Sequence, residues 1–227
     1  GYRLRPGESL PANIERRLRA EGINAKVVNA GVSGDTTAGG RARLKFTLDR
    51  LPRKPDLVVL GLGGNDLLRL VPVTETRANL RAMMDESVGR HLAEHIMSEQ
   101  LRQVKAMVDA MERSVKTGDA DTYHLQNLEF HDTLVAFTGN RKLTTLYRRL
   151  INELSLFRRI NLADSTQLPV SASEHRGIVK AIASGDALAA GRAMRQHVLD
   201  SKQRTLRNNT PAAPAPAATP RRRTTHA

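Results

Sequence analysis

An unbroken helical pattern over the second half of the chain limits the possible folds more than any other feature. From residue 74 to residue 207 apolar residues recur every three or four positions, and no segment alternates in the way of a β-strand. Gly118-Asp119 and Gly185-Asp186 each combine a glycine that ends a helix with an aspartate that caps the next one. Residues 86–207 are therefore predicted to form an all-α bundle. The predicted helices lie near residues 86–97, 99–117, 120–138, 141–163, 172–184 and 186–207.

The first third of the chain shows a mixed pattern instead. One helix is predicted before Gly22 and another over residues 38–51. Two short apolar runs at residues 26–30 and 57–60 are typical of β-strands. Two strands and two helices are too few to close a parallel α/β domain, so residues 1–84 are predicted to form a partial α/β layer.

Composition narrows the classes of function. The formal net charge of +13 is spread along the chain, and aromatic residues make up only 3% of it, so a stacking platform for single-stranded nucleic acid is not expected. The absence of cysteine excludes disulfides and thiolate metal ligands and fits a reducing cytoplasm, where we expect the protein to be. No apolar run reaches the roughly 18 residues of a membrane span, so no membrane partner is expected. Residues 208–227, rich in Ala and Pro and ending in three arginines, are predicted to be disordered.

Three histidines lie among apolar residues of predicted helices, where a polar imidazole is expected to have a specific binding partner. They are His131, His175 and His197, each on a different predicted helix, and Asn127 lies one turn before His131 on the same face. Facing helices of a bundle can assemble a metal site, and an Asn with three His suits Zn²⁺, Ni²⁺ or Mn²⁺. The residues alone leave a second interpretation open, in which buried histidines only form ordinary hydrogen bonds.

The remaining helical histidines carry weaker signals. His91 and His95 have the spacing of a helical metal pair around Glu94, but without a third ligand a solvated helix face is the better interpretation. His124 lies seven residues before His131 and is expected to face the same interior.

A series of short motifs runs through the helical half in a fixed order. The motifs are Asn127-Leu-Glu-Phe130-His131-Asp-Thr-Leu134, Thr138-Gly139-Asn140, Leu146-Tyr147-Arg148-Arg149-Leu150, Leu156-Phe157-Arg158, Ser173-Glu174-His175-Arg-Gly-Ile178, Gly185-Asp186-Ala187 and Met194-Arg195-Gln-His197-Val198. With these motifs, residues 86–207 resemble the FCD effector domain of GntR-type transcription regulators, an all-helical ligand-binding domain.

The resemblance implies a site and partners. It implies that Asn127, His131, His175 and His197 bind a divalent metal ion, more weakly than with the Asp that is common at the first position, because one anionic ligand is lost. It also implies a small carboxylate effector and a homodimer. No recognition-helix pattern precedes residue 86, so we expect DNA contact only through a winged-helix domain not present in this chain. Candidate partners for the carboxylate are Arg148, Arg149, Arg158 and Arg195.

Two motifs of the first third carry a second resemblance. Residues 29–37 (NAGVSGDTT) and 63–66 (GGND) each follow a predicted strand, and residues 1–84 resemble part of an SGNH (GDSL-type) hydrolase of the arylesterase and lysophospholipase kind. The resemblance implies that the Gly34 amide and the Asn65 side chain once formed an oxyanion hole.

The catalytic machinery of that family is incomplete in these residues. Its nucleophilic serine and its Asp-x-x-His motif have no counterpart here, and no catalytic residue is assigned. We therefore expect an effector-sensing domain joined to an inactive hydrolase fragment. The alternative is an SGNH-type acyl esterase or lysophospholipase whose nucleophile segment is missing from this chain.

Overall fold

The computed structural model describes residues 4–5, 7–158 and 167–208, without the side chains of residues 152–158, 206 and 208. This part of the chain is all-helical and contains no strand. The helices are α1 (Leu10–Ala20), α2 (Thr37–Asp49), α3 (Gly64–Leu68), α4 (Val73–His95), α5 (Ser98–Thr117), α6 (Ala120–Phe137), α7 (Arg141–Arg158), α8 (Leu168–Ala183) and α9 (Ala187–Asn208). The predicted tail, residues 208–227, lies outside the described residues apart from Asn208, which ends α9.

The predicted bundle is confirmed for α4 to α9. Their apolar faces meet in one core, in which α4 packs along α9, α5 packs on α6 and α8, and α7 packs on α4 and α6. The fully buried members of this core include Val88, Leu92, Val104, Val108, Met111, Phe130, Leu134, Ile178, Ile182 and Met194. None of the helices in the described ranges has the length and apolar character needed to cross a membrane.

Local sequence signals define the ends of the bundle helices. α5 stops at Gly118, whose φ of 71° is left-handed, and the Asp119 side chain accepts from the Thr122 backbone N–H at the start of α6. Gly185 follows the end of α8 and has a left-handed φ of 75°. The Asp186 side chain then accepts from the Ala189 backbone N–H at the start of α9. Both predicted stop-and-restart signals are confirmed.

Helix α4 is longer than the sequence pattern predicts and is central to the molecule. It begins at Val73 and continues without a break through residue 85. Its contact with α9 is unusually close, because a Cβ at Gly89 would lie 2.6 Å from the carbonyl oxygen of Ala190. The glycine allows the two backbones to approach each other directly.

The predicted α/β layer of residues 1–84 is not observed in the described residues. Residues 26–30 and 57–60, predicted as strands, have no regular secondary structure, and no backbone hydrogen bond joins the two runs in the described part. Leu57, in the second run, is 72% exposed. β-Branched and apolar residues favour a strand only when a neighbouring strand can pair with it, and here the ordered neighbours are helices.

Candidate metal and ligand centre

Three imidazoles from three helices meet inside the bundle. His131 is on α6, His175 on α8 and His197 on α9, and each is at most 5% exposed. We call these three residues the histidine centre. Phe130, the residue before His131, makes edge-to-face contacts with the rings of both His131 and His175.

The facing atoms of the histidine centre are the Nε2 atoms. Nε2 of His131 lies 3.1 Å from Nε2 of His197 and 3.3 Å from Nε2 of His175, and all the potential ligand atoms lie within 4.8 Å of one another. Ligands about 2.0–2.1 Å from a tetrahedral zinc ion are separated by about 3.3–3.4 Å. The histidine centre can therefore hold a divalent metal ion, as the sequence predicts.

Contacts at the second ring nitrogen, Nδ1, fix the orientation of two of the rings. The Nδ1 atom of His197 lies 2.7 Å from the Glu174 carboxylate, and the hydroxyl of Tyr123 lies 3.3 Å from Nδ1 of His175. Glu174 is held in turn by both terminal nitrogens of Arg204, with Nη2 at 2.8 Å. A carboxylate only accepts, so His197 donates from Nδ1 and its Nε2 lone pair faces the centre.

The electrostatics favour the neutral form of His175 and His197 and the charged form of the supporting carboxylate. Burial, followed by the positive charges of neighbouring groups including Arg81, lowers the pKa of His175 well below its usual range. Burial lowers the pKa of His197 too, against the opposing hydrogen bond from Glu174. Burial raises the pKa of Glu174, but the hydrogen bonds from His197 and Arg204 outweigh it and bring that pKa to about 2. Neutral imidazoles are the form that binds metal.

Asn127 lies one turn before His131 on α6, as predicted. Its carboxamide oxygen Oδ1 is buried and has no hydrogen-bond partner among the described residues. A buried polar oxygen without a partner costs free energy, and a metal ion or a polar ligand would remove that cost. The three imidazole nitrogens fit the divalent ions expected from the sequence.

Helix α4 supplies a buried charged pair that the sequence analysis missed. Arg81 is 3% exposed and Asp85 is fully buried, with Nε of the arginine 3.4 Å from Oδ2 of the aspartate. Tyr147 of α7 is also buried and interacts with Arg81. The i,i+4 spacing of Arg81 and Asp85 was a signal for this pair in the sequence. The predicted bundle began at residue 86, however, and so excluded the first part of α4.

The four arginines predicted as carboxylate partners occupy different surroundings. Arg148 is on the outer side of α7 and forms a bidentate pair with Asp132, with both contacts at 2.7 Å. Arg149 is exposed, and Arg195 is half-buried with Nη1 3.6 Å from the carboxylate of Glu86. The side chain of Arg158 lies outside the described residues.

The other histidines of the described residues are not part of the centre. His91 and His95 stack with ring centroids 4.4 Å apart, and Nδ1 of His95 lies 2.9 Å from the His91 carbonyl oxygen. His124 is half-buried on α6. Within the part of the chain that the structure describes, the histidine centre is the one group of three or more potential ligands close enough to share an ion.

The two loops that carry the hydrolase-like motifs lie side by side. Gly34 has a φ of 75°, and the Arg69 side chain donates to its carbonyl oxygen at 3.0 Å. The Asn65 side-chain amide donates to the carbonyl oxygen of Asp35 at 2.7 Å, so it is already engaged within the protein. Buried Asp66 accepts from the Thr37 N–H at 2.8 Å and ties the two loops together.

In the described residues, the fold and the centre define a helical bundle with a buried cluster of three histidines. Comparison with known families assigns this bundle: the profile of the FCD domain matches residues 77–200, more than half of the chain. The chain belongs to the FCD domain family.

The N-terminal part is similar to esterases. The chain is 46% identical over 76 residues to Esterase TesA of Pseudomonas aeruginosa, covering 34% of this chain and 37% of the relative. It is 39% identical over 84 residues to an arylesterase of Vibrio mimicus, covering 37% and 41%. The chain thus spans about two fifths of the length of the curated relatives it matches.

Two solved structures were also found to be similar. AlinE4, an SGNH-hydrolase family esterase, shares 56% identity over 38% of this chain and 46% of that chain, with a TM-score of 0.37. Streptococcus agalactiae GntR shares 22% identity over 73% of this chain and 79% of that chain, with a TM-score of 0.49.

Proposed function

We propose that this chain is the effector-sensing part of a GntR-type transcription regulator, acting as a cytoplasmic homodimer. The observation that carries the proposal is the convergence of three Nε2 atoms from α6, α8 and α9 at a spacing that suits one divalent ion. Membership of the FCD family supports it. In this proposal DNA contact belongs to a winged-helix domain outside residues 1–227.

The proposed ligands are Asn127, His131, His175 and His197, with Zn²⁺, Ni²⁺ or Mn²⁺ as the ion. A divalent ion bound by these uncharged groups supplies a positive centre with open positions for the oxygen of a small carboxylate. Glu174 orients His197, and the surrounding apolar side chains exclude water. Ligand binding at the junction of three helices would bias their packing, which is the property a sensor needs.

Metal analysis of protein purified without chelator tests this proposal. We expect about one divalent ion per chain in the wild type and loss of that ion in His131→Ala and His175→Ala, since each removes a ligand. His91→Ala is the matched control, because His91 is on α4 outside the centre, and it should keep the ion. Circular dichroism would establish that the variants stay helical. Unchanged metal content in both centre variants would refute the proposed site.

A second candidate function is an SGNH-type acyl esterase. The proximity of the Gly34 and Asn65 loops and the sequence similarity to esterases favour it. It would need a nucleophile and a base beyond those assigned here. A direct assay of ester hydrolysis distinguishes the two candidates.

A further inference from the structure

One segment of the N-terminal part exposes apolar side chains that the proposed sensor site does not use. We call residues 57–73 the apolar segment. Six of its side chains are each at least 59% exposed. They are Leu57, Val59, Leu67, Leu68, Leu70 and Val73. Single exposed apolar residues are ordinary on a protein surface, whereas a group of them in one segment marks an interaction surface.

Two residues of the apolar segment point inward and hold it against the molecule. Leu62 packs over Gly40 of α2, where an added Cβ would lie 2.3 Å from the leucine Cδ1 atom. Buried Asp66 accepts from the backbone N–H of Thr37, the first residue of the same helix. The segment is therefore anchored on α2 while its other apolar side chains reach solvent.

The apolar segment is almost free of charge. It contains only two charged residues, Asp66 and Arg69. Asp66 is 1% exposed, and the Arg69 side chain donates to the carbonyl oxygen of Gly34. A nucleic acid or an acidic protein would find little to pair with on this surface, so its partner should be apolar as well.

Leu70 adds local strain to the exposure. It follows the end of α3 with a left-handed φ of 55°, a conformation that glycine adopts easily at this position and leucine does not. Its side chain is 87% exposed, so packing within the described residues does not compensate the strain. Strain of this kind persists where a residue serves a purpose outside its own fold.

The backbone of residues 57–60 is also open to a partner. Among the described residues, its N–H and C=O groups form no backbone hydrogen bond. Proteins usually protect an extended apolar edge with lysine or proline, and residues 57–60 contain neither. A second extended chain could pair with these groups.

The exposed apolar area is close to what one partner of a stable dimer buries. A fully buried leucine or valine side chain removes on the order of 60–120 Å² of apolar surface from water. The six side chains together expose the equivalent of about four whole ones, or roughly 250–500 Å². A standard interface buries about 800 Å² per partner, of which about 57% is apolar.

We infer that the apolar segment is a self-association surface that binds the same segment of a second copy of this chain. A two-fold contact places like surfaces together, and an apolar surface complements itself. The formal net charge of +13 makes two copies repel each other, and the repulsion is least where a surface carries almost no charge. This contact is on the N-terminal part and is additional to the homodimer of the proposed function.

The test measures the molar mass of the full chain by sedimentation equilibrium over a dilution series, at low and at high salt. Leu68→Glu places a charge in the proposed contact. Leu70→Gly removes an apolar side chain and relieves the left-handed strain, so a folding defect is not expected. Leu125→Glu is the matched control, because Leu125 is a 67% exposed leucine of α6, outside the apolar segment.

We expect the wild type to self-associate and to associate more tightly at high salt, since salt screens the repulsion between the copies. Leu68→Glu should raise the dissociation constant at least about 10-fold, because a buried unpaired charge is costly. Leu70→Gly should raise it several-fold without lowering the free energy of unfolding, and Leu125→Glu should behave like the wild type. Equal dissociation constants for the wild type and Leu68→Glu would overturn the inference, as would a wild type that binds phosphatidylglycerol vesicles without self-associating.

The mass of Leu68→Glu reports the homodimer of the proposed function separately. A dimeric Leu68→Glu beside a larger wild type supports both contacts. A monomeric Leu68→Glu beside a dimeric wild type removes the homodimer from the proposed function and leaves this inference standing. A dimer of equal stability in both proteins keeps the homodimer and overturns the inference.

Discussion

At the scale of single residues, the histidine centre depends on groups that never touch the proposed ion. Glu174 accepts from Nδ1 of His197 and so points Nε2 inward, and Arg204 holds Glu174 through two contacts. Such supporting carboxylates set the tautomer and direction of a ligating imidazole and raise its basicity. Glu174 is thus a positioning residue for the centre.

Replacing Glu174 with Gln should weaken zinc binding by about 10- to 100-fold, because the imidazole loses its charged acceptor. Competition against a chromogenic chelator measures this affinity. Glu112→Gln is a matched control, since Glu112 is likewise held by an arginine, Arg176, with Nε at 2.9 Å, but stands outside the histidine centre. Equal zinc affinities for the wild type and Glu174→Gln would rule out the positioning role.

The sequence analysis identified His131, His175 and His197, each on its own helix, and the structure brings these three together. The role of Asn127 as a ligand stays a prediction. The Arg81–Asp85 pair was missed because the predicted bundle began at residue 86, and its burial depends on contacts with other helices. Arg148 was chosen by its charge, but its partner Asp132 comes from the neighbouring helix α6.

At the scale of elements, α4 packs closely along α9, the helix that carries His197. The helices touch backbone to backbone at Gly89 and Gly191, where an added Cβ would lie 2.6 Å from the Ala190 carbonyl oxygen and 2.7 Å from Cγ of Arg90 respectively. Any side chain at these glycines must push the helices apart.

Gly89→Ala should lower the free energy of unfolding by about 1–3 kcal/mol, because the new methyl group overpacks a backbone contact. Gly177→Ala is the control: this glycine lies inside α8 with nothing within 4 Å of an added Cβ. It should raise the free energy of unfolding by about 0.5–1 kcal/mol through helix propensity. Urea denaturation followed by circular dichroism measures both, and a Gly89→Ala protein as stable as the wild type would contradict the close α4–α9 packing.

At the scale of the whole molecule, the esterase-like part and the FCD domain are joined by one continuous helix, α4. The N-terminal part carries sequence similarity to esterases, whereas the FCD profile begins at residue 77, inside α4. Buried Asn79 of α4 donates to the Thr37 hydroxyl and so connects the first third to the bundle. The helix that carries Arg81 therefore also contacts the N-terminal part.

We expect the 227-residue chain to hydrolyse p-nitrophenyl acetate no faster than its own Asn65→Ala variant. The proposed oxyanion donors cannot catalyse acyl transfer without a nucleophile and a base, and the Asn65 amide already donates to the Asp35 carbonyl. The assay compares initial rates and looks for a burst of p-nitrophenol. A burst that disappears in Asn65→Ala would favour the esterase candidate.

The sequence by itself determined the helical bundle, because helix periodicity and caps are properties of short segments. It also singled out His131, His175 and His197 by their apolar helical surroundings, and the family resemblance implied that the three share one site. Only the tertiary structure decided that residues 26–30 and 57–60 stay irregular, because a strand exists through its partner and none pairs with them among the described residues. The tertiary structure also decided that Arg81 of α4 is buried. Burial is set by how α4 packs against α7 and α9, and that packing follows from contacts between residues far apart in the chain.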